Sequence, residues 1–107
     1  MFNLLRGSYA KYVKVFVGKL MNYAFHIDLG DMTYEAWHAM YAAPENLAKR
    51  ADWWGPEHVG KSGENSAIIL AQINDEDKLS EHMKFVREMA SKMGMKHQIS
   101  KLFPDDR

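Results

Sequence analysis

The chain has 107 residues, with fourteen basic and fourteen acidic side chains, no cysteine and 47% hydrophobic residues. That length predicts one domain, and the balanced charge gives no general pull toward nucleic acid or an acidic membrane. The missing cysteines exclude disulfides, thiolate metal sites and thiol nucleophiles. No apolar run is long enough to span a bilayer or act as a leader, so a cytoplasmic protein is expected.

Residues 1–20 differ from the rest. Leu5, Tyr9, Tyr12, Val13, Phe16, Val17 and Leu20 recur at helical spacing, with Arg6, Lys11, Lys14 and Lys19 mostly off that stripe. The spacing predicts a basic amphipathic helix, docked on its own domain or on a partner subunit in preference to a membrane. Val13, Val15, Phe16 and Val17 would also suit a strand. The compact α+β domain is expected over 21–107.

From Met21 to Leu29 the chain alternates, and a first strand is expected. Tyr23, Phe25, Ile27 and Leu29 point one way; Asn22, Ala24, His26 and Asp28 point the other. Thr33 is suited to cap a helix that runs to Tyr41 and buries Trp37, Met40 and Tyr41. Pro44 is suited to open a second short helix, with Leu47, Ala48 and Ala51 as its inner face. Gly55-Pro56 breaks the pattern, so only a short second strand, Glu57 to Lys61, is expected. Gly60 to Asn65 reads as a hairpin loop. Ser66 to Asn74 is the longest uncharged run and is rich in β-branched residues, which predicts a buried strand. Its Ala67, Ile69, Ala71 and Ile73 share one face; Ile68, Leu70 and Gln72 share the other. Acids at 75–77 open the strongest helix, whose stripe is Leu79, Met83, Val86, Met89, Ala90 and Met93, with His82 inside it. Gly94 ends that helix, and Lys96 to Phe103 is the last strand.

The order is β-α-β-β-α-β after an extra N-terminal helix, the ferredoxin-like pattern. One sheet face carries Ala24, Ile68 and Leu70 among Asn22, His26 and Gln72. Leaving such residues in water is unfavourable, so a second sheet is expected to cover them. On the alternating first strand, the hairpin, the strand Ala67–Ile73 running into Asn74 to Leu79, and the final strand, the chain resembles the dimeric α+β-barrel proteins. In that group two ferredoxin-like protomers place their sheets face to face. The resemblance implies a homodimer that binds a small, often apolar molecule. Other members are cofactor-independent monooxygenases, isomerases or haem-degrading enzymes. In the haem-degrading members a first-strand asparagine, a tryptophan and a helix histidine form the site. Asn22 and His82 match by position, but Gln72 stands about where the tryptophan belongs, which counts against haem chemistry.

The chemistry legible in the residues is limited. Gly55 to Ser62 matches G-x-x-x-x-G-K-[ST], but it neither follows a buried strand nor opens a helix, so a glycine-bearing hairpin is the expected reading. The five histidines show no metal-ligand spacing, and no metal or cofactor is expected. His26 and Asp28, on the face expected to look into a barrel, are the catalytic candidates; a hydrogen-bonded interface pair is the alternative. His82 is either a core histidine or a polar group in a pocket. Small side chains of the third strand face flexible Met83, Met89, Met93 and Met95, which leaves room for a ligand. The expected ligand-binding residues are Asn22, His26, Trp54, Ile68, Leu70, Gln72, His82, Met83 and Val86. The expected function is a homodimeric binder of an apolar, fatty-acid-like molecule. A monooxygenase-like or isomerase-like enzyme and a structural dimer without ligand are the alternatives.

Overall fold

The computed structural model describes residues 21–103; the amphipathic segment 1–20 lies outside them. The elements are β1 (Tyr23–Asp28), α1 (Tyr34–Tyr41), α2 (Pro44–Arg50), β2 (Trp54–Gly63), β3 (Ser66–Ile73), α3 (Glu76–Met93) and β4 (Lys96–Lys101). The fold is α+β. Four antiparallel strands form a sheet in the order β2-β3-β1-β4, and three helices accompany them. Two helices, not one, connect β1 to β2, so the chain order departs from a simple β-α-β-β-α-β. Among the described residues no helix is long and apolar enough to cross a membrane.

Strand alternation sets the two faces. Tyr23, Phe25 and Ile27 of β1 and Ala67, Ile69, Ala71 and Ile73 of β3 are all buried under the helices. In register, Phe25 sits between Ile69 and Ile99, and Val59 lies beside Ile69. On the opposite face, His58, Leu70, Ala24 and Ser100 form one cross-strand row. Gly60, Ile68, His26 and Gln98 form the next. Ile68, Leu70 and Ala24 stay half-buried there.

The helix ends follow their caps. Thr33 accepts from the Ala36 amide at 3.2 Å, and Asp75 accepts from the Lys78 amide at 3.1 Å. Pro44 occupies the first turn of α2, and the Asn46 amide side chain donates to the Met40 carbonyl at 2.7 Å, tying α2 to the end of α1. Gly94 closes α3 at φ 72°, with the Met95 amide reaching the Ala90 carbonyl at 2.8 Å.

Gly30, just after β1, packs against the turn at Gly94 that leads into β4. Its φ is 64°, and a Cβ there would stand 2.7 Å from the Gly94 carbonyl oxygen, a backbone atom that cannot swing away. Gly30→Ala is therefore expected to destabilise the fold by more than the left-handed penalty of about 1–2 kcal/mol. Urea unfolding measures it, and an unchanged midpoint would contradict this packing.

Three expectations need correction. The second strand is ten residues, not five. It is an edge strand, so Pro56 forfeits no ladder bond, and a register shift between Trp54 and Glu57 absorbs Gly55-Pro56. The hairpin turn shrinks to Glu64-Asn65. The inner face of α2 is not Leu47, Ala48 and Ala51: Leu47 is 48% exposed, Ala48 and Ala51 are exposed, and Arg50 is buried at 6%. Arg50 finds an aromatic ring and a free carbonyl beneath it, which the alanines could not use. Along α3, Leu79, Met83 and Ala90 are buried and Val86 is half-buried, but Met89 and Met93 are each 38% exposed. They lie on the flank of the helix, away from its line of contact with the sheet.

Candidate functional site

A cavity of about 100 Å³ lies between the covered sheet face and the helices. Its floor is Phe25 and Ile27 of β1, Ile69 of β3, Trp54 of β2 and His97 of β4. Trp37, Met40 and Tyr41 of α1, Arg50 of α2 and His82, Met83 and Val86 of α3 roof it. The exposed rings and thioethers of Phe85 and Met89 stand at its margin. Aromatic pairs stiffen the walls: Phe25 stacks on Trp54 at 5.1 Å and Trp37 on Tyr41 at 4.9 Å. A shallower outer cleft beside Lys49 and Trp53 shares His82 and Phe85 with the cavity, so these two side chains divide them.

The polar groups at one end are arranged around Tyr41. Its hydroxyl donates to Glu57 Oε1 at 2.5 Å, and the Trp54 indole donates to the same oxygen at 2.7 Å. Burial, reinforced by the hydrogen bond to Glu57, pushes the Tyr41 hydroxyl far above its usual range, so it remains a donor. The Arg50 guanidinium lies over the Tyr41 ring, 3.9 Å from its centroid, and donates to the Tyr41 carbonyl at 2.8 Å. Among the described residues no carboxylate stands within ion-pair distance of Arg50.

His82 meets Trp53 and Trp54 edge-on at 5.3 and 6.4 Å. Burial holds its ring below the ordinary imidazole value, and the charges of Arg50 and Lys49 add to that. Burial, then the charge of Arg87, does the same to His97. The Nδ1 atom of His97 is buried without a hydrogen-bond partner. Unfolded, both rings take a proton near their ordinary value of 6.5. Below that pH the unfolded chain binds more protons than the folded one, so stability must fall as pH falls toward the folded values. Thermal melting between about pH 7.5 and about pH 5 is expected to show a declining Tm, less steep in a chain carrying His82→Gln and His97→Gln. An equal slope in both chains would contradict the burial of these rings.

The expected site residues divide between two faces. Trp54, His82, Met83 and Val86 come together in the cavity. Asn22, His26, Ile68, Leu70 and Gln72 do not; none of them lines it. The Asn22 side chain is committed to the end of β3, donating to the Ile73 carbonyl at 3.0 Å and accepting from the Ile73 amide at 2.7 Å. His26 and Asp28 are exposed on the open sheet face. Among the described residues no hydrogen bond links them, and Asp28 Oδ1 instead accepts from the Gly30 amide at 3.0 Å. Gln72 lies against Gly55 on the neighbouring strand. Gly55 to Ser62 lies within β2, so its amides serve a sheet edge and form no phosphate cradle. Among the described residues no three His, Asp or Glu side chains converge as metal ligands would.

Sequence reasoning missed Arg50, Glu57 and His97, and placed Tyr41 only as core. Arginine is exposed by default, which hides a buried one. The available signal was its place four residues before Trp54, beside an aromatic-rich helix.

No family model, curated protein or solved structure matches this chain.

Proposed function

We propose that the chain is a ferredoxin-like protomer of a homodimeric α+β barrel that binds one small, largely apolar molecule in the cavity beneath its helices. The observation that carries the binding is the cavity itself: aromatic and methionine walls with a few polar groups at its ends, the usual make-up of a ligand site. The dimer is supported by half-buried Ala24, Ile68 and Leu70 on the central strands of the open face, with His58, Ser100 and Gln98 beside them on the edge strands. The volume favours a compact ligand over a fatty-acid chain, since a dry cavity of about 150 Å³ holds benzene.

One observation favours a second reading. His97 lines the cavity and keeps one buried ring nitrogen without a partner, so if the protein is an isomerase-like or monooxygenase-like enzyme, His97 is a better-placed base than His26, which is exposed on the other sheet face.

Native mass spectrometry of the purified protein tests the proposal. The expected record is twice the chain mass of 12.4 kDa, with a small molecule released on unfolding or taken up from added single-ring compounds. A monomer would remove the dimer. A dimer that neither retains nor takes up a small molecule would leave only a structural assembly.

A further inference from the structure

We infer that the ligand of this cavity is a small monocarboxylate, roughly one ring in size, whose anionic head is held by Arg50. This rests on the cavity being the binding site proposed above.

Arg50 lines the cavity and is 6% exposed. A charge removed from water is strongly unfavourable unless paired and hydrogen-bonded. Arg50 has one hydrogen bond among the described residues, to the Tyr41 carbonyl, and no ionic partner. Glu57, the carboxylate that shares Tyr41 with Arg50, accepts from Tyr41 and Trp54 through the same oxygen. The Tyr41 ring offsets part of the desolvation by lying under the guanidinium, but it engages only the face of that group. The remaining N–H groups lie along the edge, without a partner among the described residues but not fully cut off from water, as donors opening on a cavity would be. A planar fork with free edge donors is the geometry that grips a carboxylate through two parallel bonds. A neutral ligand would bury the cation further and return nothing to it.

The rest of the ligand is set by the walls. Phe25, Trp37 and Met83 accept a flat apolar body, and the volume limits it to about one ring. His97 lies on β4, at the opposite edge of the sheet from β2, and its Nδ1 is the sole buried side-chain polar atom without a partner among the described residues. A hydroxyl or carbonyl on the ligand, away from the carboxylate, satisfies it. The class is therefore a hydroxy- or oxo-substituted small carboxylic acid.

Isothermal titration calorimetry of the full chain with benzoate, 4-hydroxybenzoate and benzyl alcohol tests this. Benzoate is expected to bind saturably and benzyl alcohol roughly tenfold to a hundredfold more weakly, the difference a charge-assisted hydrogen bond makes. Arg50→Gln is expected to erase that preference, and His97→Gln to erase any advantage of 4-hydroxybenzoate over benzoate. If Arg50→Gln fails to fold by circular dichroism, the comparison of the two ligands on the parent chain still decides. Benzyl alcohol binding as tightly as benzoate, or Arg50→Gln keeping the preference, overturns the carboxylate while the cavity stands. Failure of all three to bind overturns the cavity as well.

Discussion

If the protomers pair through the open sheet face as proposed, Leu70→Asp is expected to yield a folded monomer in place of a dimer. Leu70 lies on β3, a central strand, in the row with His58, Ala24 and Ser100 on the face away from the helices. Leu70 is half-buried there, so within one protomer the change forfeits the partial burial of one leucine, about 1 kcal/mol, which a domain of this size withstands. Across a sheet-to-sheet interface it is different. Each carboxylate would be taken out of water with no cation opposite, at a cost of several kcal/mol per site. Sedimentation equilibrium at micromolar concentration reads the outcome. An unchanged dimer mass would mean the protomers meet elsewhere or that this face is open.

Phe25→Ala is expected to lower stability by about 3–5 kcal/mol, the usual range for deleting a buried aromatic ring. Phe25 is 2% exposed, stacks on Trp54 and sits at the centre of β1 between Ile69 and Ile99. A domain of this size has about 5–15 kcal/mol in total, so this single change threatens the fold. Stabilisation by a bulkier acid would reveal that the vacated space joins the cavity. Denaturant unfolding with and without 1-naphthoate measures both. A loss under about 1 kcal/mol would contradict the central position given to this ring.

The regular parts of the fold were legible because each rests on a local rule. Alternation in β1 and β3, the caps at Thr33 and Asp75, Pro44 and Gly94 all act where the sequence shows them. The length of β2 was not legible, because Pro56 is harmless only at a sheet edge, and edge position is a property of the whole sheet. Four of the nine expected ligand-binding residues also fall in the cavity. His82, Met83 and Val86 follow from the periodicity of α3, and Trp54 from the expectation that an aromatic beside Gly55-Pro56 edges the core. Asn22, His26, Ile68, Leu70 and Gln72 were expected beside them because alternation separates the two sheet faces without saying which of them lines a pocket. Consecutive side chains leave a strand on opposite sides, so the cavity under the helices takes only one of the two sets. Arg50 was hidden for another reason. Its burial depends on the Tyr41 ring and carbonyl from a different helix, and no periodicity within α2 encodes that contact.

The site claim is most directly read from methionine methyl groups. Met40, Met83, Met89 and Met95 line the cavity, while Met32 and Met93 do not. With carbon-13 in the methyl positions, adding benzoate is expected to shift the Met83 and Met95 signals saturably and together, leaving Met32 and Met93 in place. Shifts confined to Met32 and Met93, or no shift at any methyl, would contradict a ligand site beneath the helices.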